Sequence, residues 1–189
     1  MASIISIQRV LASVLFLTAL FLMMLAASPA RAASAAEIDQ QVDQALADFR
    51  KIDGAESFLG IAKGVLVFPR VYKAGIGVGG EYGEGALRVG GKTVDYYSTA
   101  AASIGFQLGA QAKSIVVLFI EEPALKKFRE SEGWKVGVDG SVALVDIGIG
   151  KTVDTANIKD PVIGFVFGQK GLMYNLTLEG SKFTKLDKQ

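Results

Sequence analysis

From Gly64 onward the hydrophobic pattern has a period of two, and within it lies GIGVGGEYGEG, residues 75–85, where six of eleven positions are glycine. Alternation marks half-buried strands. A strand that gives up side chains at this density can bend sharply or lie close to another backbone, an aromatic ring or an acyl chain. The stretch therefore chooses between a phosphate-cradling loop, a flexible linker and a thin strand in a folded wall.

Gly75-x-Gly77-x-x-Gly80 matches the dinucleotide fingerprint, with Asp95 about 20 residues further on. That fingerprint must open a helix whose amides and dipole meet a pyrophosphate. Here Gly79, Gly80, Gly83 and Gly85 would fill the first helical turns, at about 1 kcal/mol each relative to alanine. Gly91-Lys92-Thr93 and Gly150-Lys151-Thr152 resemble the ends of phosphate loops, but Ala86 and Val145 stand where the leading glycine is required, so both read as turns. The thin strand is the reading that remains.

The other elements fall around it. Residues 1–32 read as a secretory signal peptide: Arg9, an apolar run Val10–Ala27, Pro29, and small residues at Ala30 and Ala32 before the cut. The run is 18 residues long, so a retained anchor is the alternative. After an Ala/Ser leader (33–36), residues 37–53 place Ile38, Val42, Ala45, Leu46, Phe49 and Ile52 on one helical stripe. The opposite face is glutamine and aspartate, which predicts docking on the helix's own domain rather than on a membrane. A short helix follows at 55–62.

VLVFP (65–69) reads as a strand ended by proline. GALRV, Gly90-Gly91 and KTVDYYST form a hairpin. In residues 102–112, Ile104, Phe106, Leu108 and Ala110 alternate with Gly105, Gln107, Gly109 and Gln111, and SIVVLFI (114–120) reads as a central strand. One short helix, led by Pro123, interrupts the strands. Trp134, Val136 and Val138 resume the alternation, and SVALVDIGI (141–149) is a further strand. Beyond a polar connection holding Asp154, Asn157 and Asp160, the chain reads as strand, turn at 169–171, a strand with Leu172, Tyr174, Leu176 and Leu178 on one face, turn at 179–180, and strand. The expectation is an α+β fold: a largely antiparallel curled sheet or barrel-like β-domain, with an N-terminal helical region and one short internal helix, in a single domain over 33–189.

Composition excludes several chemistries. The chain has no histidine, hence no imidazole base or imidazole metal ligand, and no cysteine, hence no disulfide or thiolate. No catalytic, cofactor or metal site is expected; a hydrolase would need a Ser-Lys or paired-carboxylate arrangement. Glu81 and Glu84, three apart in a strand, face opposite ways and read as solvated acids. Asn175-Leu-Thr177 matches a glycosylation sequon inside a strand and reads as chance. Removing residues 1–32 takes Lys plus Arg from 20 to 18 against 19 acids, about −1, so nucleic acid is not an expected partner.

AKGVLVFP (62–69), KAGIGVGGEYGEG (73–85), YYSTAAASIGFQLGAQ (96–111), GWKVGVDGSVALVD (133–146) and GFVFGQKGLMYNLTLEGSKFTKL (164–186) resemble the successive blocks of the SYLF domain family, from about residue 40 to the C-terminus. The resemblance implies a non-enzymatic domain that associates with phosphoinositides or other anionic lipids, with actin-regulator-like members as the alternative, a protein-interaction or envelope-structural module. It supplies no catalytic residues to carry over. The acidic, glutamine-rich first helix departs from members in which that region meets membrane.

Residues 57–80 carry Lys63, Arg70 and Lys73 without an acid, interleaved with Phe58, Phe68 and Tyr72. Bases beside aromatics suit an anionic headgroup and its interfacial region, while the plainer alternative has the aromatics in the core and the bases snorkelling outward. The candidate lipid-binding residues are Lys63, Arg70, Tyr72, Lys73, Gly75, Gly77 and Gly79, on an exported, periplasmic or secreted protein whose partner is a lipid or membrane surface. Gly105 and Gly109, with Gln107 and Gln111, would extend the thin surface.

Overall fold

The computed structural model describes residues 33–146, 160–171, 178 and 180–188, without the side chains at 76, 103–108 and 146. The signal-peptide reading, the second phosphate-loop-like turn at 150–152, the polar residues Asp154 and Asn157, the face of Leu172, Tyr174 and Leu176, and the sequon all lie outside the described residues, as do the side chains of Ile104, Phe106, Gln107 and Leu108.

Helix α1 (Ala35–Phe49) starts two residues before the apolar stripe suggests, because Ser34 and Glu37 form a capping box: Glu37 N–H donates to Ser34 Oγ at 3.3 Å and Ser34 N–H to Glu37 Oε2 at 2.7 Å. The supposed leader thus contains the cap. Ile38, Val42, Ala45, Leu46 and Phe49 are all buried. Asp39, between them, accepts hydrogen bonds from Thr93 Oγ1 (2.6 Å) and Tyr96 Oη (2.9 Å), and Arg88 reaches Asp43 at 2.8 Å, so the helix is docked on its own sheet by polar as well as apolar contacts. Helix α2 (Ala55–Ile61) follows.

Two long strands form the body: β1 (Gly64–Val89) and β2 (Lys92–Phe119), of 26 and 28 residues, antiparallel from end to end. Gly90 and Gly91 join them with φ of 57° and 78°, the double left-handed geometry of a primed two-residue turn. Helix α3 (Glu122–Glu130) leads to the short strands β3 (Gly133–Lys135) and β4 (Ala143–Asp146), then β5 (Val162–Gly171) and β6 (Lys182–Leu186). Strand β5 pairs with the second half of β2 and β6 with its first half; β3 lies outside β6, and β4 runs parallel to β5. The result is an α+β curled sheet, largely antiparallel as expected.

Straight strands of this length would extend about 90 Å. Instead the hairpin folds back over itself. A Cβ added at Gly85 would run into the carbonyl oxygen of Val67 and come within 2.8 Å of Phe68 Cδ1; one at Gly83 would lie 2.7 Å from the Arg70 carbonyl oxygen. Residues 83–85 therefore cross residues 67–71 of the same strand, backbone against backbone, which only glycine permits. Inside the fold, Phe128 of α3 stacks between Tyr97 and Phe119, from opposite ends of β2, at 4.8 Å from each, and Phe68 meets Phe183 at 5.2 Å. On the other face, Val67, Val116, Leu118 and Phe165 are covered by α1 and α2, with Phe49 and Phe58 each 5.1 Å from Phe165.

Four expectations are corrected. Strand β1 does not end at Pro69: the register passes from Phe68↔Ile115 to Val71↔Lys113, so Pro69 and Arg70 oppose Ser114 alone in a bulge, where a missing N–H costs no ladder bond. The three strands expected at 92–99, 102–112 and 114–120 are one, Lys92–Phe119. The supposed turn at 169–171 belongs to β5, which bulges at Gly168 instead. Val138 leaves the alternation and is 72% exposed in a turn, whereas Trp134 and Val136 are buried.

The crossing sets a contrast between two glycines. Gly85→Ala should lower stability by about 1–3 kcal/mol, because the clash is with backbone and an aromatic ring that cannot swing away. Gly80→Ala, whose Cβ would meet open space, should stay within about 0.5 kcal/mol of the parent. Urea unfolding midpoints of the two variants measure the difference.

Candidate functional site

The bulge at Pro69–Arg70 and the bulge at Gly168 flank the same stretch of β2, around Lys113 and Ser114. Bulges re-aim side chains, and here they open a groove of about 750 Å³ between the sheet and the polar face of α1. Its lining includes Gln40, Gln41 and Gln44 from the helix, Arg70 and Tyr72 from β1, and Lys170 from β5. Ser114 Oγ donates to the Pro69 carbonyl at 2.9 Å, fixing the bulge.

Arg70 and Lys170 are exposed, and neither has an ion-pair partner among the described residues. The acid on the groove wall, Asp48, is already met by Lys51 Nζ at 2.6 Å; that hydrogen bond, with a second from Gln44, holds its carboxyl below the ordinary carboxylate range. The groove thus offers two cations and several amides to an anion.

The sequence candidates divide. Arg70 and Tyr72, the latter 56% exposed, share this groove. Lys63 is exposed but lines a separate groove of about 410 Å³ beside Leu59, Val65 and the Gly90–Gly91 turn. Lys73 is 6% exposed and turned into the fold. Phe58 and Phe68 are core residues. A Cβ on Gly75 would strike the Cα of Gly79, so these two glycines allow β1 to bend tightly on itself; Gly77 lies between them in the strand.

Sequence reasoning missed a charged interior. Lys113 Nζ lies 2.9 Å from Glu81 Oε2, with the side chains 1% and 6% exposed, in contact but without a well-directed hydrogen bond. Gln111 Nε2 donates to Gln169 Oε1 at 3.1 Å, and Lys73 faces Gln111 across the ladder. The signal was available in the alternation: Lys113 is in phase with Ile115, Val117 and Phe119, Glu81 with Gly85 and Leu87, and Lys73 with Val71. Glu81 and Glu84 do face opposite ways, but neither is a solvated acid. Glu84 accepts from Tyr82 Oη at 2.8 Å and pairs with Lys188 at 3.0 Å. No group of three acids that could hold a metal ion occurs among the described residues.

Removing one member of the buried pair strands the other charge. Lys113→Met should cost about 3–5 kcal/mol, and the double variant Lys113→Met/Glu81→Leu should regain most of it, as a double-mutant cycle in urea can measure. Partial burial, then the Glu84 hydrogen bond, push Tyr82 up to about 12 from 10.0. Its contribution to stability is full below pH 10 and lost as pH rises through about 12. Tyr82→Phe should flatten that part of the alkaline unfolding curve.

Residues 100–189 match the family model Ysc84, described as Las17-binding protein actin regulator. No curated protein is similar enough to match the chain. The matched stretch takes in β2 from Ala100, then α3 and β3 through β6, the portion that pairs with β1 and closes over it. Over residues 100–189 the chain is similar to the Ysc84, or SYLF, domain family, consistent with the resemblance carried by its sequence blocks.

Proposed function

We propose that this protein is a non-enzymatic domain, residues 33–189, that is exported and associates with anionic lipid at a membrane surface. The observation that carries the reading is the pair of uncompensated cations, Arg70 and Lys170, brought to one groove by coincident bulges beside the exposed ring of Tyr72. Two fixed positive charges beside a tyrosine suit a phosphate headgroup at the interface, each base contributing about 1 kcal/mol near an anionic surface. Lys63 adds to the same field from its own groove. Lys73, being buried, acts on the interior rather than on a headgroup. No helix among the described residues is long and apolar enough to cross a membrane.

A protein-interaction role is the second reading, favoured by the family description of a Las17-binding actin regulator. Vesicle flotation separates the two. Binding to phosphatidylcholine vesicles should strengthen when phosphatidylglycerol is included and weaken with added salt. Arg70→Gln/Lys170→Gln should weaken binding to the anionic vesicles by about 30-fold, the equivalent of about 2 kcal/mol. Equal binding of the double variant and the parent would remove the groove from the account; absence of flotation with any vesicle, together with capture of a protein partner, would favour the second reading.

A further inference from the structure

The bend of the hairpin has its polarity reversed. Along residues 72–82 of β1 and 100–110 of β2, the outward-facing described positions are Tyr72, Ala74, Val78, Gly80 and Tyr82, and Ala100, Ala102 and Ala110, all exposed and none charged. Tyr72, Val78 and Tyr82 are exposed to 56%, 68% and 50%. The inward-facing positions of the same segment and its base hold Lys73, Glu81, Gln111 and Lys113, each less than 10% exposed. Soluble domains place charges outward and apolar residues inward; apolar outside and ionic inside is the pattern of β-structure that meets lipid.

The geometry gives this segment the shape of a wedge. Gly75 and Gly79 touch at the bend, with Val78 beside it, while Gly83 against Arg70 and Glu81 against Lys113 close the two legs below. Tyr72 and Tyr82 sit on opposite legs, each next to the boundary with charge: Arg70 on one side, and Glu84 with Lys188 on the other. Tyrosine is enriched where apolar surface meets headgroups. We propose that this bend inserts into one leaflet of a lipid bilayer, with Val78 at its tip, the two tyrosines at the interface, and Arg70 and Lys170 at headgroup level. Val78 lies six residues from Tyr72 and four from Tyr82, a reach of about 13–20 Å against a hydrocarbon core about 30 Å thick, so the wedge enters the bilayer and does not span it. The buried Glu81–Lys113 pair keeps charge off the lipid-facing side while holding the legs together. This inference rests on the membrane reading above, and it adds the face and the depth.

The chain contains no cysteine, so Val78→Cys places a single thiol on the tip of the full-length protein. With a nitrobenzoxadiazole label there, adding vesicles of phosphatidylcholine and phosphatidylglycerol should shift emission to the blue. Lipids spin-labelled on the acyl chain should quench it more than lipids spin-labelled on the headgroup. The same label at Val138→Cys, 72% exposed in a turn remote in sequence from the bend, should stay solvent-like. Val78→Asp and Ala102→Asp should each lower vesicle partitioning at least tenfold without moving the urea midpoint. A protein that floats with anionic vesicles while the Val78 label stays solvent-like overturns insertion and leaves the headgroup reading standing. A label already shielded without lipid also overturns it, the cover being a second copy if sedimentation gives a dimer and another segment of this chain if it gives a monomer. Failure to float with any vesicle overturns both.

Discussion

Close approach of backbone to backbone, where Gly83 and Gly85 cross Val67 and Arg70, is the contact on which this structure depends. A hairpin of 26- and 28-residue strands has too few partners to bury both faces along its length. Folding it over brings Leu66 and Phe68 to Leu87 and Tyr97, and lets α3 push Phe128 into the angle. A side chain at position 85 would separate the layers at the carbonyl of Val67. The missing methyl groups thus set the spacing at which the aromatics of the core meet.

The crossing also determines where charge goes. Among the described residues, the inward face near the bend is occupied by glycine and by long polar side chains, Lys73, Glu81, Gln111 and Lys113. Burying an ion pair gains little net stability, so the benefit is to be sought on the other face, which is left free of charge. Coincident bulges at Arg70 and Gly168 act at the base of the same legs, turning cations outward where the apolar surface ends. Groove and wedge are two parts of one surface.

Much of the fold was legible in the sequence, for identifiable reasons. Local periodicity located α1, since intervals of three and four leave one helical stripe. Gly90-Gly91 located the turn, since it needs two left-handed residues. The SYLF resemblance was carried by ordered blocks, and the family match covers two of them entire and most of a third. What escaped depends on partners distant in the chain. Pro69 looks like a terminator until Ser114 is seen opposite a bulge. The glycines of 83–85 look available to a ligand until Val67 and Arg70 are seen to occupy the space. Lys63, Arg70 and Lys73 look like one basic cluster, whereas the pleat and the bulge send them to a side groove, the main groove and the interior. Lys113 could have been suspected earlier, because it stands in phase with a run of core residues.

The self-crossing is most directly tested by nuclear Overhauser contacts in the isotopically labelled protein. The account predicts cross-peaks from the Gly85 Hα protons to the ring of Phe68 and from those of Gly83 to the methyls of Val71. An extended hairpin would connect Gly85 and Gly83 only to their ladder partners Tyr97 and Thr99. A folded sample showing the ladder contacts without the crossing contacts would contradict the account.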